Sequence, residues 1–284
     1  MYRTTLVALL VALNAGCAAL AVRPPTPAAR LSHEDVATPP PPPGERYFLV
    51  VFGSQSTPKR AKYTHTWATV VRTVDGPPGT PPVVAETHTI SWMPATLDIY
   101  PLRFEVEPGV NLSLDDTLRM AKDYNERVSM WGPYEIWHGL YRRFLIQKQF
   151  LESGQVGYQC VDDVGESGRA GTGSDCIHAV TDMDPAYSRT RYPLIFYGES
   201  ASANLVRRFM HAPVIIDPPR THDWVIPQLG LDHYPVARRE YRGRVVPYRP
   251  DSPGLDRTPP LVRPAPAGLI AEPGRSGPTT PRGG

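Results

Sequence analysis

Apolar residues come in clearly different patterns along this chain. Leu6 to Leu13 is a short apolar run, and the next one, Tyr47 to Phe52, is continuous and stopped by Gly53, which predicts a strand buried on both faces. His65 to Arg72 alternates and is rich in β-branched residues, which predicts a second strand. Asp75-Gly76-Pro77-Pro78-Gly79 supplies a turn, and Val83 to Trp92 reads as a third strand forming a hairpin with the second. Leu102 to Val106 is a fourth candidate.

The period then changes from two to 3.6. Ser113, with Asp116 three positions on, suits the start of a helix from Leu114 to about Met130, with Leu114, Leu118, Ala121 and Val128 on one stripe. After Trp131-Gly132-Pro133, a second helix is predicted from Tyr134 to Ser153. It would bury Ile136, Leu140, Phe144 and Leu151 and stop at Gly154. A third is predicted at Ala201 to His211. Strands first and helices afterwards indicate an α+β domain, a small antiparallel sheet with several packed helices.

Composition sets the boundaries of that domain. The chain has 284 residues and 34 prolines, many of them in its flanks. Residues 18–44 end in the run Pro39 to Pro43 and read as an extended, polyproline-type linker. Residues 249–284 are dominated by Pro, Gly, Arg and Ser without apolar period and read as a disordered tail. Residues 45–248 remain for one sizeable domain. Charge is nearly balanced, 30 basic against 28 acidic residues, so no basic field argues for nucleic acid. The cluster Arg238, Arg239, Arg242 and Arg244 reads as a solvated face.

The first residues fix the expected compartment. Arg3 precedes the apolar run, which is too short to span a bilayer, and Ala15 and Gly16 stand directly before Cys17. This segment, residues 1–17, resembles a signal peptide with the lipobox of bacterial lipoproteins. The resemblance implies that Cys17 is lipidated and becomes the mature N-terminus. The domain would then be held to a membrane of the cell envelope by its lipid anchor, facing the periplasm or the exterior, since several acyl chains give a stable attachment.

The chemical interest lies in the glycine-rich stretch Gly165 to Val180, which delivers Cys176 to a helix start. Ser174 or Asp175 can serve as N-cap, placing Cys176 in the first turn, where the amides and dipole favour a thiolate. No Gly-Lys-Ser/Thr follows, so a nucleotide site is not indicated. A cysteine nucleophile needs a base brought near by the fold. His178 would face away on the helix, whereas His65 opens the second strand and His88 lies in the third, with Glu86 on the same face.

A strand His, a polar residue on the neighbouring strand and then a Cys at a helix start resemble the circularly permuted papain-like fold. Its members include the lecithin-retinol-acyltransferase relatives and permuted NlpC-type cell-wall peptidases. His65-Thr-Trp-Ala looks like the family's His-strand motif, and Asp175-Cys-Ile-His-Ala-Val looks like its Asn-Cys-Glu-His-Phe-Val box. The resemblance implies Cys176 as nucleophile, His65 as base and His88 or Glu86 as the orienting residue. It also implies hydrolysis or acyl transfer at amide, peptide or ester bonds, with peptidoglycan peptides or lipids as substrates in this compartment.

The competing expectation is a non-catalytic binding or scaffold lipoprotein of the envelope. In an exported protein Cys160 and Cys176 form an even pair, and a disulfide between them would contribute about 3 kcal/mol by loop closure and remove the nucleophile. No cofactor or metal is expected: His65 with His88, or His222-Asp223 with His233, lack His-Glu-x-x-His or Cys-x-x-Cys spacing.

Overall fold

The computed structural model describes residues 27–30, 41–103, 105–160, 173–184, 197–231 and 234–241. The signal segment with Cys17, most of the linker, the glycine-rich stretch before Gly173, His233, Arg242, Arg244 and the tail lie outside the described residues.

In chain order the elements are α1 (Pro27–Arg30), β1 (Glu45–Gln55), β2 (Thr64–Val74), β3 (Val83–Ile90), β4 (Trp92–Pro94), β5 (Gly109–Asn111) and α2 (Leu114–Asp123). There follow β6 (Arg127–Ile136), α3 (His138–Glu152), β7 (Gly157–Tyr158), β8 (Gly173–Ser174), α4 (Cys176–Thr181), α5 (Glu199–His211) and β9 (Val236–Arg239). The central sheet has the order β3-β2-β1-β6-β9. β1, β2 and β3 form an antiparallel meander, β6 runs antiparallel to β1, and β9 is parallel to β6. The molecule is thus α+β, and its sheet is mixed rather than wholly antiparallel.

β1 is central and apolar on both faces, and this explains its unbroken hydrophobic run. Tyr47, Leu49 and Val51 pack with Ala68, Val70 and Ile90 against Phe144 of α3, Ala179 and Val180 of α4 and Leu205 and Phe209 of α5. On the other face Val50 and Phe52 pack with Trp67, Met130 and Leu118 of α2. The Phe52 and Trp67 rings stack at 5.2 Å. The sheet is therefore the middle of three layers.

Several expectations are corrected. The strand does not stop at Gly53 but runs through it to Gln55, because Gly53 lets α5 approach: a Cβ there would lie 2.5 Å from Ser202 Oγ and 3.1 Å from Glu199 Cα. The helix from Leu114 is capped as expected, Ser113 Oγ accepting from the Asp116 amide at 3.1 Å, but it ends at Asp123 instead of Met130. Asn125 takes a left-handed φ of 53°, and the chain turns back as β6. Residues 127–136, read as parts of two helices, are a central strand. Val128 and Met130 face one core, and Trp131, Tyr134 and Ile136 the other. A run apolar on both sides is not told from a helix by period alone.

Gly132, at φ 95°, and Pro133 form a bulge opposite Val50, and α3 starts only at His138. The described residues of Leu102 to Val106 form no strand, and the partner of β4 is β5. Within the proline-rich linker, α1 packs against α3 with Ala28 fully buried, so this part of the linker is docked on the domain and is not an extended spacer. No helix among the described residues is long and apolar enough to cross a membrane.

Candidate functional site

β3 pairs with β2 only from Ala68 onward, opposite Ile90, after which the chain leaves β2 to pair β4 with β5. Residues 64–67 of β2 are thus uncovered on that side, and α4 packs there. Asp175 is its N-cap: its carboxylate accepts from the amides of Ile177 and His178, both at 2.7 Å. Cys176 is the first helical residue, half-buried, and the backbone amide of Thr66 donates to its sulfur.

The electrostatics of that sulfur differ from expectation. Burial, and then the adjacent Asp175 carboxylate, push the Cys176 thiol well above its usual range, with the Thr66 amide pulling in the opposite direction. The capping carboxylate takes up the positive helix start that would otherwise favour a thiolate and adds its own negative charge beside the sulfur, so the resting group is a thiol rather than a thiolate.

His65 is next to Thr66 on the same strand and is 1 % exposed. Its ring stacks on Trp67 at 5.3 Å, which puts it on the α2 side of the strand, while Thr66 bonds to Ser202 of α5 on the other. The sulfur meets β2 between these two positions, at its edge. No hydrogen bond joins His65 to Cys176, and among the described residues the buried Nδ1 of His65 has no partner. Burial lowers the imidazole to about 3, so the ring is neutral.

His65 Nε2 lies 2.8 Å from Ser91 Oγ, which in turn lies 2.7 Å from Thr117 Oγ1. Thr117 Oγ1 is also 2.7 Å from the Ser113 carbonyl, so its single hydroxyl hydrogen has two contacts to serve. Thr117 donates to Ser91 Oγ, whose other lone pair can accept from His65 Nε2–H, leaving a bare lone pair on Nδ1. The reverse chain would leave a buried Nδ1–H with no acceptor. An orphaned acceptor costs less than an orphaned donor, so the tautomer with the lone pair on Nδ1 is favoured.

His88 and Glu86 are not brought to this pair. His88 pairs with Val70, five residues along β2 from His65, about 17 Å at 3.3 Å per residue. Glu86 is held by Arg72 at 2.6 Å and Tyr141 at 2.9 Å, which lower its carboxyl to about 2, with His88 Nε2 3.5 Å from its other oxygen. Ser91 occupies the position assigned to them. It stands one residue beyond β3, and Thr117 comes from a helix on the far side of the sheet. Nothing local in the sequence marks Thr117; Ser91 is recognisable only once β2 and β3 are seen to part.

Cys160 and Cys176 carry separate thiols, not a bridge, and flank Tyr158. The Tyr158 hydroxyl donates to Cys160, and burial first, then the two cysteines, raise it well above the usual phenol range. His178 is fully buried on the far side of α4, its Nδ1 3.2 Å from Asp175. His222 sits by Glu135 and Arg46, remote from these groups. Among the described residues no group of three or more His, Cys, Asp or Glu is arranged to hold a metal ion.

No protein-family model, curated protein or solved structure matches the chain.

Proposed function

We propose that this is a lipid-anchored cysteine hydrolase or acyltransferase of the cell envelope, with Cys176 as nucleophile, His65 as base and Ser91 as the residue orienting it, in a permuted papain-like arrangement. The observation that carries it is the Thr66 amide bonded to the Cys176 sulfur, one residue from a buried imidazole whose Nδ1 is unpartnered among the described residues. In the reaction the sulfur turns from the Thr66 amide toward Nδ1 and attacks the carbonyl carbon of an amide or ester. Its proton passes to His65 Nδ1 and then to the leaving amine or alkoxide, and a thioester remains on Cys176. Water or an acceptor hydroxyl or amine then attacks that thioester, loses its proton through His65, and frees the thiol. The thiol and the imidazole are both neutral at rest, and the proton moves during attack. Peptidoglycan peptides and lipids are the substrates that the compartment offers.

The test is p-nitrophenyl acetate with the purified chain. The expected result is a burst of nitrophenolate, one acetyl group mapped to Cys176 by mass spectrometry, and loss of both in Cys176→Ala and in a folded His65→Gln. An adduct spread over Cys160 and Cys176, and indifferent to His65, would sink it.

One observation favours the second reading, a binding or scaffold module carrying a Cys160–Cys176 disulfide: both sulfurs stand close enough to Tyr158 to raise its hydroxyl. A non-reducing peptide map of protein recovered from the envelope distinguishes the two, because a linked pair leaves no nucleophile.

A further inference from the structure

Beyond the thiol, a groove crosses the ends of the central strands. It consists of two cavities of about 250 and 320 Å³ that share Thr57 and Asn125. The first lies between the β1–β2 connection and the end of α2 and includes Arg60, Tyr63 and Tyr124. The Tyr63 and Tyr124 rings are 6.2 Å apart and inclined at 59°. The second includes Glu126 and Arg127. Asn125, left-handed in φ, lines both cavities and so marks the junction between the two.

The polar groups here are not all spoken for. Arg127 is neutralised by Glu199 at 2.9 Å, and nearby Lys59 is occupied by Ser200 at 2.8 Å and by the Tyr197 ring. Arg60 is exposed in the first cavity and has no ion-pair partner among the described residues. Glu126 accepts from Ser54 Oγ at 2.5 Å, and burial lifts its carboxyl to about 7, so near neutral pH it offers a hydroxyl as well as an acceptor.

The groove therefore presents the Tyr124 ring, the Tyr63 ring with the Lys62 ammonium 5.7 Å over one face, a planar amide, a carboxyl group able to donate and accept, and one uncompensated guanidinium. Apolar ring faces over tyrosines, hydroxyls on planar amide and carboxyl groups, and one negative charge on Arg60 are what a sugar chain bearing a carboxylate would bring. A peptide added as a strand needs an open backbone edge. The groove instead crosses strand ends, and β6 is already paired there with β9. A nucleic acid would need several free cations, and Arg60 alone does not meet that need.

We propose that this groove binds a short oligosaccharide carrying a carboxylate, stacked on Tyr63 and Tyr124, with the carboxylate on Arg60 and ring hydroxyls on Asn125 and Glu126. The site is independent of the thiol chemistry, so its test uses the full chain carrying Cys176→Ala. Calorimetry with trigalacturonic acid is expected to give saturable binding, weakened about tenfold or more by Arg60→Ala and by Tyr124→Ala. Chitotriose, a neutral trisaccharide, is expected to bind more weakly and to lose nothing on Arg60→Ala. Both positions are exposed, and unchanged thermal unfolding of the variants shows that the loss is local. No saturable binding of either sugar, equal binding by wild type and variants, or binding of a pentapeptide or single-stranded oligonucleotide in place of the sugars would overturn the assignment.

Discussion

The Thr66 amide donates a hydrogen bond to the sulfur of Cys176, joining the uncovered edge of β2 to the first turn of α4. Its orientation favours a thiolate, yet burial and Asp175 outweigh it and the sulfur keeps its proton. Cys176 should therefore react with iodoacetamide much more slowly at pH 7 than an exposed cysteine, with a rate that rises well into the alkaline range. Asp175→Asn keeps an N-cap while removing the charge, so it should move that rise to lower pH. Alkylation rates at Cys176, followed by peptide mass spectrometry across pH, check both; fast labelling at pH 7 in the unmodified protein would contradict the geometry described.

Ser91 carries a prediction of its own. Ser91→Ala removes the only partner that His65 Nε2 has among the described residues, and one partner of Thr117, leaving buried polar groups unpaired at a cost of about 1–3 kcal/mol. The denaturant midpoint should fall accordingly. The imidazole nitrogen resonances of His65 should also change from a single Nε2–H tautomer to a mixture. A purely packing role for Ser91 would lower the midpoint and leave the tautomer as it was.

How much of this site could be read from the sequence follows from range. β1, β2 and β3 were legible because a continuous apolar run and β-branched alternation are local signals, and the Ser113 cap and the Gly154 stop were legible for the same reason. β6 was not, because Val128 fits the stripe of one helix and Ile136 that of the next as readily as both fit a strand buried on both faces, and the choice was made by pairing with β1 and β9. In the site, His65 and Cys176 could be singled out by residue type and by their places at a strand start and a helix start. Ser91 and Thr117 could not, since their roles depend on β3 leaving β2 after Ile90 and on α2 packing beneath.

Gly53 stands where α5 lies closest to the sheet. Ser202 Oγ donates there to the Phe52 carbonyl at 2.7 Å and contacts Thr66 Oγ1 at 3.0 Å. Gly53→Ala would drive a methyl group into Ser202 and the Glu199 backbone and should cost about 1–3 kcal/mol as overpacking. Gly154, at φ 76° but with open space around the added Cβ, should lose only about 1 kcal/mol on the same change, from backbone strain alone. Paired unfolding curves of the two alanine variants check the order, and a larger loss at Gly154 would contradict the close approach of α5.

Glu126 gives the fold a dependence on pH whose sign follows from its burial. Its carboxyl holds its proton up to about 7 when folded, against 4.5 in the ordinary state, so between those values the folded chain keeps a proton that the unfolded chain has released. Stability from this group is complete below about pH 4.5 and is lost as pH rises through 7, by at most about 3 kcal/mol. His65 acts in the opposite sense, because its imidazole, lowered to about 3, is neutral when folded and takes a proton on unfolding below 6.5, so its contribution is lost as pH falls. The wild-type curve mixes the two. Glu126→Gln keeps an acceptor for Ser54 and removes only the carboxyl titration, so subtracting its unfolding free energy from that of the wild type, pH by pH, isolates Glu126. That difference should fall steadily from pH 4.5 to 7 and then level off; a flat difference would mean that the Glu126 carboxyl is ionised and solvated at neutral pH and that Ser54 accounts for little of its burial.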